Sequence, residues 1–197
     1  MTPRAGYHHG DLRNALEQAA LELVAERGPQ GFSLAEASRR AGVSAAAPFR
    51  HFANREALLA ALAMRSYEEQ RVRFARAAGG AADPIEQLAR FASAYVGFAV
   101  EQQALFDVTF GAGLVKREHP GLEEAGQRVL DVLRAPAEQL RAEPAAALEL
   151  IHTIAATAHG FAAFLREGVL TDRARAEVSA AAAARVLAHQ PDQRLPS

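Results

Sequence analysis

The stretch "FSLAEASRRAGVSAAAPFRHFANREALLAAL", residues 32–62, limits what this chain can fold into more than any other. Ser33-x-x-Glu36 forms a capping box with Phe32 just before it, so a helix starts at 34. Gly42 allows the left-handed backbone that stops this helix, and Ser44 is a favourable N-cap for the next one. Asn54 caps a longer helix, "REALLAALAMRSYEEQRVRFARAA", ending at Gly79-Gly80. Two short helices joined by a glycine turn must cross closely, and Ala37, Ser38 and Ala41 are small enough to permit it. Residues 33–52 therefore have the dimensions of a helix-turn-helix.

Helical spacing extends along the rest of the chain, and strand alternation is nearly absent. Leu12, Leu16, Ala19, Ala20, Leu23 and Val24 mark a first helix closed by Gly28. Asp83-Pro84-Ile85-Glu86 combines an N-cap, an N1 proline and an acidic N3 residue, which predicts a helix to about Gln102. A short apolar segment holds Leu105, Phe106, Val108 and Phe110, and "GAGLVKREHPG" reads as a loop with Pro120 opening the next helix. Pro136 is expected to kink or break that helix. Pro144 opens a helix to Gly168, and Thr171 caps a last one reaching about Ala188. The expected fold is all-α. An N-terminal three-helix unit spans 10–65, a larger helical body spans 66–190, and a disordered tail fills 191–197.

Charge distribution matters here more than total charge. The 197-residue chain has a formal net charge of −1, yet 33–55 carries Arg39, Arg40, Arg50 and Arg55 against Glu36 alone. A local basic patch of this kind steers an anionic partner even when the sum does not. There is no cysteine, which excludes disulfides and thiolate metal sites and suits a reducing cytoplasm. The N-terminal residues lack the apolar core of a signal peptide. No uninterrupted apolar run approaches the roughly 18 residues that would span a bilayer, so no membrane partner is expected.

On these residues the chain resembles the tetracycline-repressor (TetR) family. That family carries a capped short helix, Ala-Gly-Val-Ser, an aromatic-x-[His/Tyr]-Phe run and Asn-[Lys/Arg]-Glu-x-Leu-Leu, all matched within 32–62. "YHHGDLRNALEQAALELVAERG" is similar to the first helix of the same domain. "HPGLEEA" and "AHGFAAFLREG" resemble the C-terminal body of a subgroup named for a Trp-His-Gly motif, which reads Ala158-His159-Gly160 here. The resemblance implies a DNA-binding transcriptional regulator and not an enzyme: a homodimeric, ligand-relieved repressor of a palindromic operator, with no cofactor and no metal.

It also implies roles for individual residues. Ser33 and Ser44, at helix N-termini, offer hydroxyls and N–H groups to phosphates. Arg55 and His51 stand where the family places phosphate contacts, and Phe49 takes a tyrosine position without the hydroxyl. Ala45, Ala46 and Ala47 have no hydrogen-bonding group for base edges, so they read thymine methyls and groove shape. Arg50, with Arg39 or Arg40, supplies the long donors. Base readout then depends on one or two arginines and on the deformability of the DNA.

For the body, the resemblance implies a four-helix dimer interface from the last two helices, through Ile151, Ala155, Ala162, Val178, Ala182 and Arg185. It also implies a cavity for a small apolar or aromatic ligand lined by Phe91, Tyr95, Phe98, Phe106, Phe110, His159 and Phe161. The residues leave two other readings open. Glu149-x-x-His152 matches half of a di-iron bundle motif, but no second copy exists. His152 and His159 lie two turns apart, about 10 Å by helical rise, too far to chelate one ion. A helical adaptor docking another protein through its alanine faces is the remaining alternative.

Overall fold

The computed structural model describes residues 9–119 and 121–190, with only the backbone of 9–11 and of Lys116. All regular structure among the described residues is helical. The α-helices are α1 (His9–Arg27), α2 (Leu34–Arg40), α3 (Arg55–Gly79), α4 (Pro84–Glu101), α5 (Gln103–Gly111), α6 (Leu122–Leu130), α7 (Arg134–Leu140), α8 (Pro144–Arg166) and α9 (Arg173–His189). Short 3₁₀ turns occupy Pro48–Arg50, Lys116–Glu118 and Asp131–Leu133. The expected tail, 191–197, and Pro120 lie outside the described residues.

The helix ends follow the sequence signals closely. Both halves of the Ser33–Glu36 capping box form, and the Asn54 carboxamide oxygen accepts from the Ala57 N–H at 2.8 Å. Gly28 and Gly42 take φ of 76° and 70°, the left-handed conformation a chain reversal needs. One cap is displaced: Asp172, not Thr171, accepts the Arg175 N–H and starts α9. Its carboxylate is the stronger acceptor for an N-terminal N–H. Pro136 falls in the first turn of α7, where its missing N–H costs nothing, so the helix breaks upstream at Asp131–Leu133.

The chain packs as two compact units. One comprises the described part of Met1–Ser66 with Gln103–Leu122; the other comprises Tyr67–Gln102 with the described part of Glu123–Ser197. α3 contributes to both. In the first unit, Leu16, Leu23, Phe52, Leu58, Leu59 and Leu62 build the core. α5 packs on α1 there, and three polar contacts hold its surrounding segment. Gln30 donates to the Ala112 carbonyl at 2.6 Å, Ser66 to the Leu105 carbonyl at 3.1 Å, and His119 Nε2 meets Glu56 at 2.8 Å.

In the second unit, α4 packs against α7, α8 and α9. Leu88, Phe91, Tyr95, Val96 and Phe98 of α4 are buried, as are Ala176, Ala180, Ala184 and Ala188 of α9, four residues apart. That alanine face brings the α9 backbone close to its neighbours. Arg141 donates to the Leu187, Ala188 and Gln190 carbonyls and so closes the C-terminal end of α9. By length and composition α8 is apolar enough to cross a membrane, a property that uninterrupted runs do not reveal because polar residues punctuate it.

Candidate nucleic-acid interface

The edge that follows the glycine turn differs from the expected regular helix. Ser44 to Ala47 form a turn, and Pro48–Arg50 are 3₁₀. The backbone bonds explain it. Ala47 N–H reaches the Ser44 carbonyl at 3.1 Å, Arg50 N–H the Ala47 carbonyl at 3.3 Å and His51 N–H the Pro48 carbonyl at 2.8 Å, all three-residue spacings, and Phe52 N–H then makes a four-residue bond to the same Pro48 carbonyl at 2.8 Å. Pro48 has no N–H with which to close a four-residue bond to Ser44, so the tighter winding takes over. Phe52 returns to the core, with the Arg13 guanidinium 5.2 Å from its ring.

What this edge exposes is specific. Ser44, Ala45, Ala46, Phe49 and Arg50 are exposed, Ala47 and His51 are half-buried, and Pro48 is buried beneath them. Phe49 is 63% exposed, a large apolar ring presented to solvent. Ser33 is exposed, yet its hydroxyl already donates to Glu36 at 3.0 Å while accepting the Glu36 N–H. The Ser33 N–H, Arg27 and the Ser33 hydroxyl together hold the Glu36 carboxyl below the usual carboxylate range.

The four arginines separate into two kinds. Arg40 is spread over Glu26 of α1, with N–O distances of 2.5 and 2.9 Å. Arg55 donates to the Pro29 carbonyl and to Gln30 at 3.1 Å, and lies over the Phe32 ring at 5.1 Å. Both fasten the scaffold: Arg40 ties α2 to α1, and Arg55 ties the start of α3 to the loop before α2. Arg39, whose side chain is 74% exposed and only 4.0 Å from Glu36, and exposed Arg50 are the cations facing solvent. Sequence alone did not distinguish these pairs, because Glu26 and Pro29 are distant along the chain and close only after folding.

In the second unit the expected cavity residues form a packed aromatic cluster. Phe91, Tyr95 and Phe98 surround Phe74 at ring-centroid distances of 5.0, 5.5 and 6.0 Å. Phe74 of α3 was absent from the expected set, although its place two helical turns beyond Tyr67 on one face is a signal for it. The Tyr95 hydroxyl meets His159 Nδ1 at 2.9 Å. Burial pushes the Tyr95 phenol well above its ordinary range, and burial with nearby Arg166 lowers the His159 imidazole. Both shifts favour the uncharged forms, so a neutral phenol meets a neutral imidazole. Phe161 is half-buried on α8. Phe106 and Phe110, 4.7 Å apart, belong to the first unit.

The expected interface residues also divide. Ile151 and Ala162 are buried within the protomer, Ala155 is half-buried, and Arg185 is held by Glu86 at 2.5 and 2.9 Å. Val178 and Ala182 are exposed, and Val186 extends their stripe along α9. On α8, exposed Ala156 and Phe164 flank Gly160, where an added Cβ would meet open space. Glu149 and His152 both lie exposed on α8.

A family model described as bacterial regulatory proteins, tetR family, matches residues 17–62. A model for the tetracyclin repressor-like C-terminal domain matches 88–189, and nothing in that match supports the Trp-His-Gly subgroup. Among solved structures, a protein of unknown function from Rhodococcus sp. RHA1 is 29% identical, with a TM-score of 0.79 over 93% of this chain and 98% of that one. The TetR family transcriptional regulator PfmR from Thermus thermophilus is 22% identical, with a TM-score of 0.67 over 91% of this chain and 99% of its own. The fatty acid degradation regulator FadR from Bacillus halodurans is 16% identical, with a TM-score of 0.68 over 95% of this chain and 100% of its own. No curated protein matches the sequence.

Proposed function

The chain belongs to the TetR family of DNA-binding transcriptional regulators, and from that premise we propose that it is a homodimeric repressor of a palindromic operator, released by a small apolar or aromatic ligand. The observation that carries the DNA-contacting part of this reading is the edge at Ser44–Arg50. It exposes small side chains, one aromatic ring and one arginine, and is braced from behind by Pro48 and Phe52. Ala45, Ala46 and Ala47 lie against thymine methyls, Arg50 and Arg39 reach phosphates or base edges, and His51 and the Ser44 N-terminus add phosphate contacts. Ser33, Arg40 and Arg55 act from behind, by holding the helices that present this edge.

One such edge makes few contacts, so affinity comes from two. A two-fold pair places its recognition edges about 34–36 Å apart, or a multiple of it, and selects a palindrome. The stripe Val178, Ala182 and Val186 on α9, with Ala156, Gly160 and Phe164 on α8, supplies the self-complementary surface. The ligand enters among Phe91, Tyr95, Phe98, Phe161 and His159, where the Tyr95–His159 pair is the polar anchor. It shifts the operator-bound state only by its differential affinity for two states, acting through α3, the helix common to both units. The protein works in the cytoplasm, where operators are.

Selection of bound sites from random duplexes, followed by a ligand screen against the selected site, tests this reading. The expected result is an enriched palindrome and at least one apolar compound that weakens its retention. Recovery of no enriched sequence would leave the protein without an operator and end the proposal.

A further inference from the structure

A cleft of about 370 Å³ opens on the second unit between α3, α4 and α9, lined by Arg73, Arg76, Arg90, Ser93, Arg173 and Glu177 among others. Four guanidinium groups around one small cleft repel each other unless carboxylates compensate them. Two of them are compensated. Glu101 accepts from Arg73 at 2.6 Å and from Arg173, and Glu177 accepts from Arg173 at 2.6 Å. The two arginines hold the Glu101 carboxyl down to about 2. Glu86 stands one turn before Arg90, whose charge helps lower its carboxyl, but its oxygens are taken by Arg185 Nε and Nη2; Glu68 and Glu69 line an adjoining cleft that shares Arg73 and Arg76. Arg76 and Arg90 have no carboxylate within ion-pair distance among the described residues, and both are exposed at the cleft.

The Arg90 guanidinium lies over Gly80, its Nη1 2.5 Å from where a Cβ would stand. A Cβ at Gly97 would approach Arg73 Nη2 and Glu177 Oε1 to 3.1 Å, and Gly97 is buried under that cluster. Ser93 adds a hydroxyl to the same wall.

We propose that this cleft is an anion-binding site for a small phosphate-bearing ligand, with Arg76 and Arg90 as the donors and Ser93 as a hydroxyl contact. Guanidinium forks match phosphate oxygens in pairs, and two of them left without carboxylates supply the charge that a dianion needs. The proposal does not depend on the repressor reading.

Thermal unfolding of the full chain in inorganic phosphate, against sodium chloride at equal ionic strength, tests it. Ligand binding to the folded state raises Tm with ligand concentration, and a saturable rise of about 3 °C is expected. The rise should persist in Arg39→Ala/Arg50→Ala, which removes the exposed cations of the DNA-facing edge. It should vanish in Arg76→Gln/Arg90→Gln, whose Tm in chloride should equal that of the parent because both side chains are exposed. Should the double variant be unstable, the single variants serve, each expected to lower phosphate affinity at least several-fold. No rise beyond chloride, a rise retained without Arg76 and Arg90, or one abolished with Arg39 and Arg50 overturns the proposal.

Discussion

Arg50 and Arg40 carry the same charge, lie ten positions apart, and do different work. Arg40 is consumed by Glu26, whereas Arg50 faces solvent on the DNA-facing edge. Arg50→Ala should therefore weaken operator binding and flatten the dependence of log K on log salt by about 1 for each phosphate left unneutralised, while leaving Tm unchanged. Arg39→Ala should do the same, and Arg40→Ala should instead lower Tm and leave the salt slope intact. Titrations at several salt concentrations beside melting curves separate the three, and an unchanged slope in Arg50→Ala would remove it from the interface. His159 carries a pH signature. Its imidazole is lowered by burial and Arg166, so below its ordinary value near 6.5 the unfolded chain binds more protons than the folded one. Stability is full above that value and declines as pH falls through the folded value. His159→Gln should flatten the fall in Tm between pH 7 and 5, and an unaltered profile would place the titration on another group.

Element ends were the most legible part of this fold, because a cap is a local contract between neighbouring residues. Ser33 with Glu36, Asn54 with Ala57, and Asp83 with Glu86 all form as their spacing dictates. What the sequence hid was long-range or depended on winding. Nothing near Leu105 indicates that its segment packs with α1, since Gln30 and Ser66, which hold it, are remote in the chain. The aromatic spacing of Phe91, Tyr95 and Phe98 was visible, but Phe74 as their central partner was not. Pro48 acts locally: without an N–H to reach the Ser44 carbonyl, this short segment winds more tightly. Pro48→Ala restores a donor to the Ser44 carbonyl, so the amides of Phe49 to His51 should exchange more slowly as three-residue bonds give way to a four-residue ladder. Operator affinity should change with it, because the Ala45–Ala47 face rotates. Exchange rates equal to the parent's would show that the surrounding helices, not the proline, impose the 3₁₀ turn.

In the whole molecule, sequence specificity depends on pairing two copies of this edge. A single edge built of alanines, one phenylalanine and one exposed arginine, with Arg39 beside it on α2, offers little discrimination, since alanine cannot hydrogen-bond a base. Two copies fixed by symmetry square the selectivity and add spacing as a criterion. The surface proposed for that pairing is small-residue rich: Gly160 and Ala156 leave room for a second helix, while Val178, Ala182 and Val186 form a stripe four residues apart on α9. Val178 is 68% exposed, so Val178→Asp should leave the protomer fold intact and place a charge in an apolar contact on both sides of the two-fold axis. Sedimentation should then show a protomer where the parent shows a dimer. Operator retention should fall by at least tenfold at equal concentration, with melting of the protomer unaffected beyond about 1 kcal/mol. Adding protein should recover binding, because the defect lies in association and not in the DNA-facing edge. A variant that remains dimeric and binds its operator unchanged would move the interface to another face of the second unit.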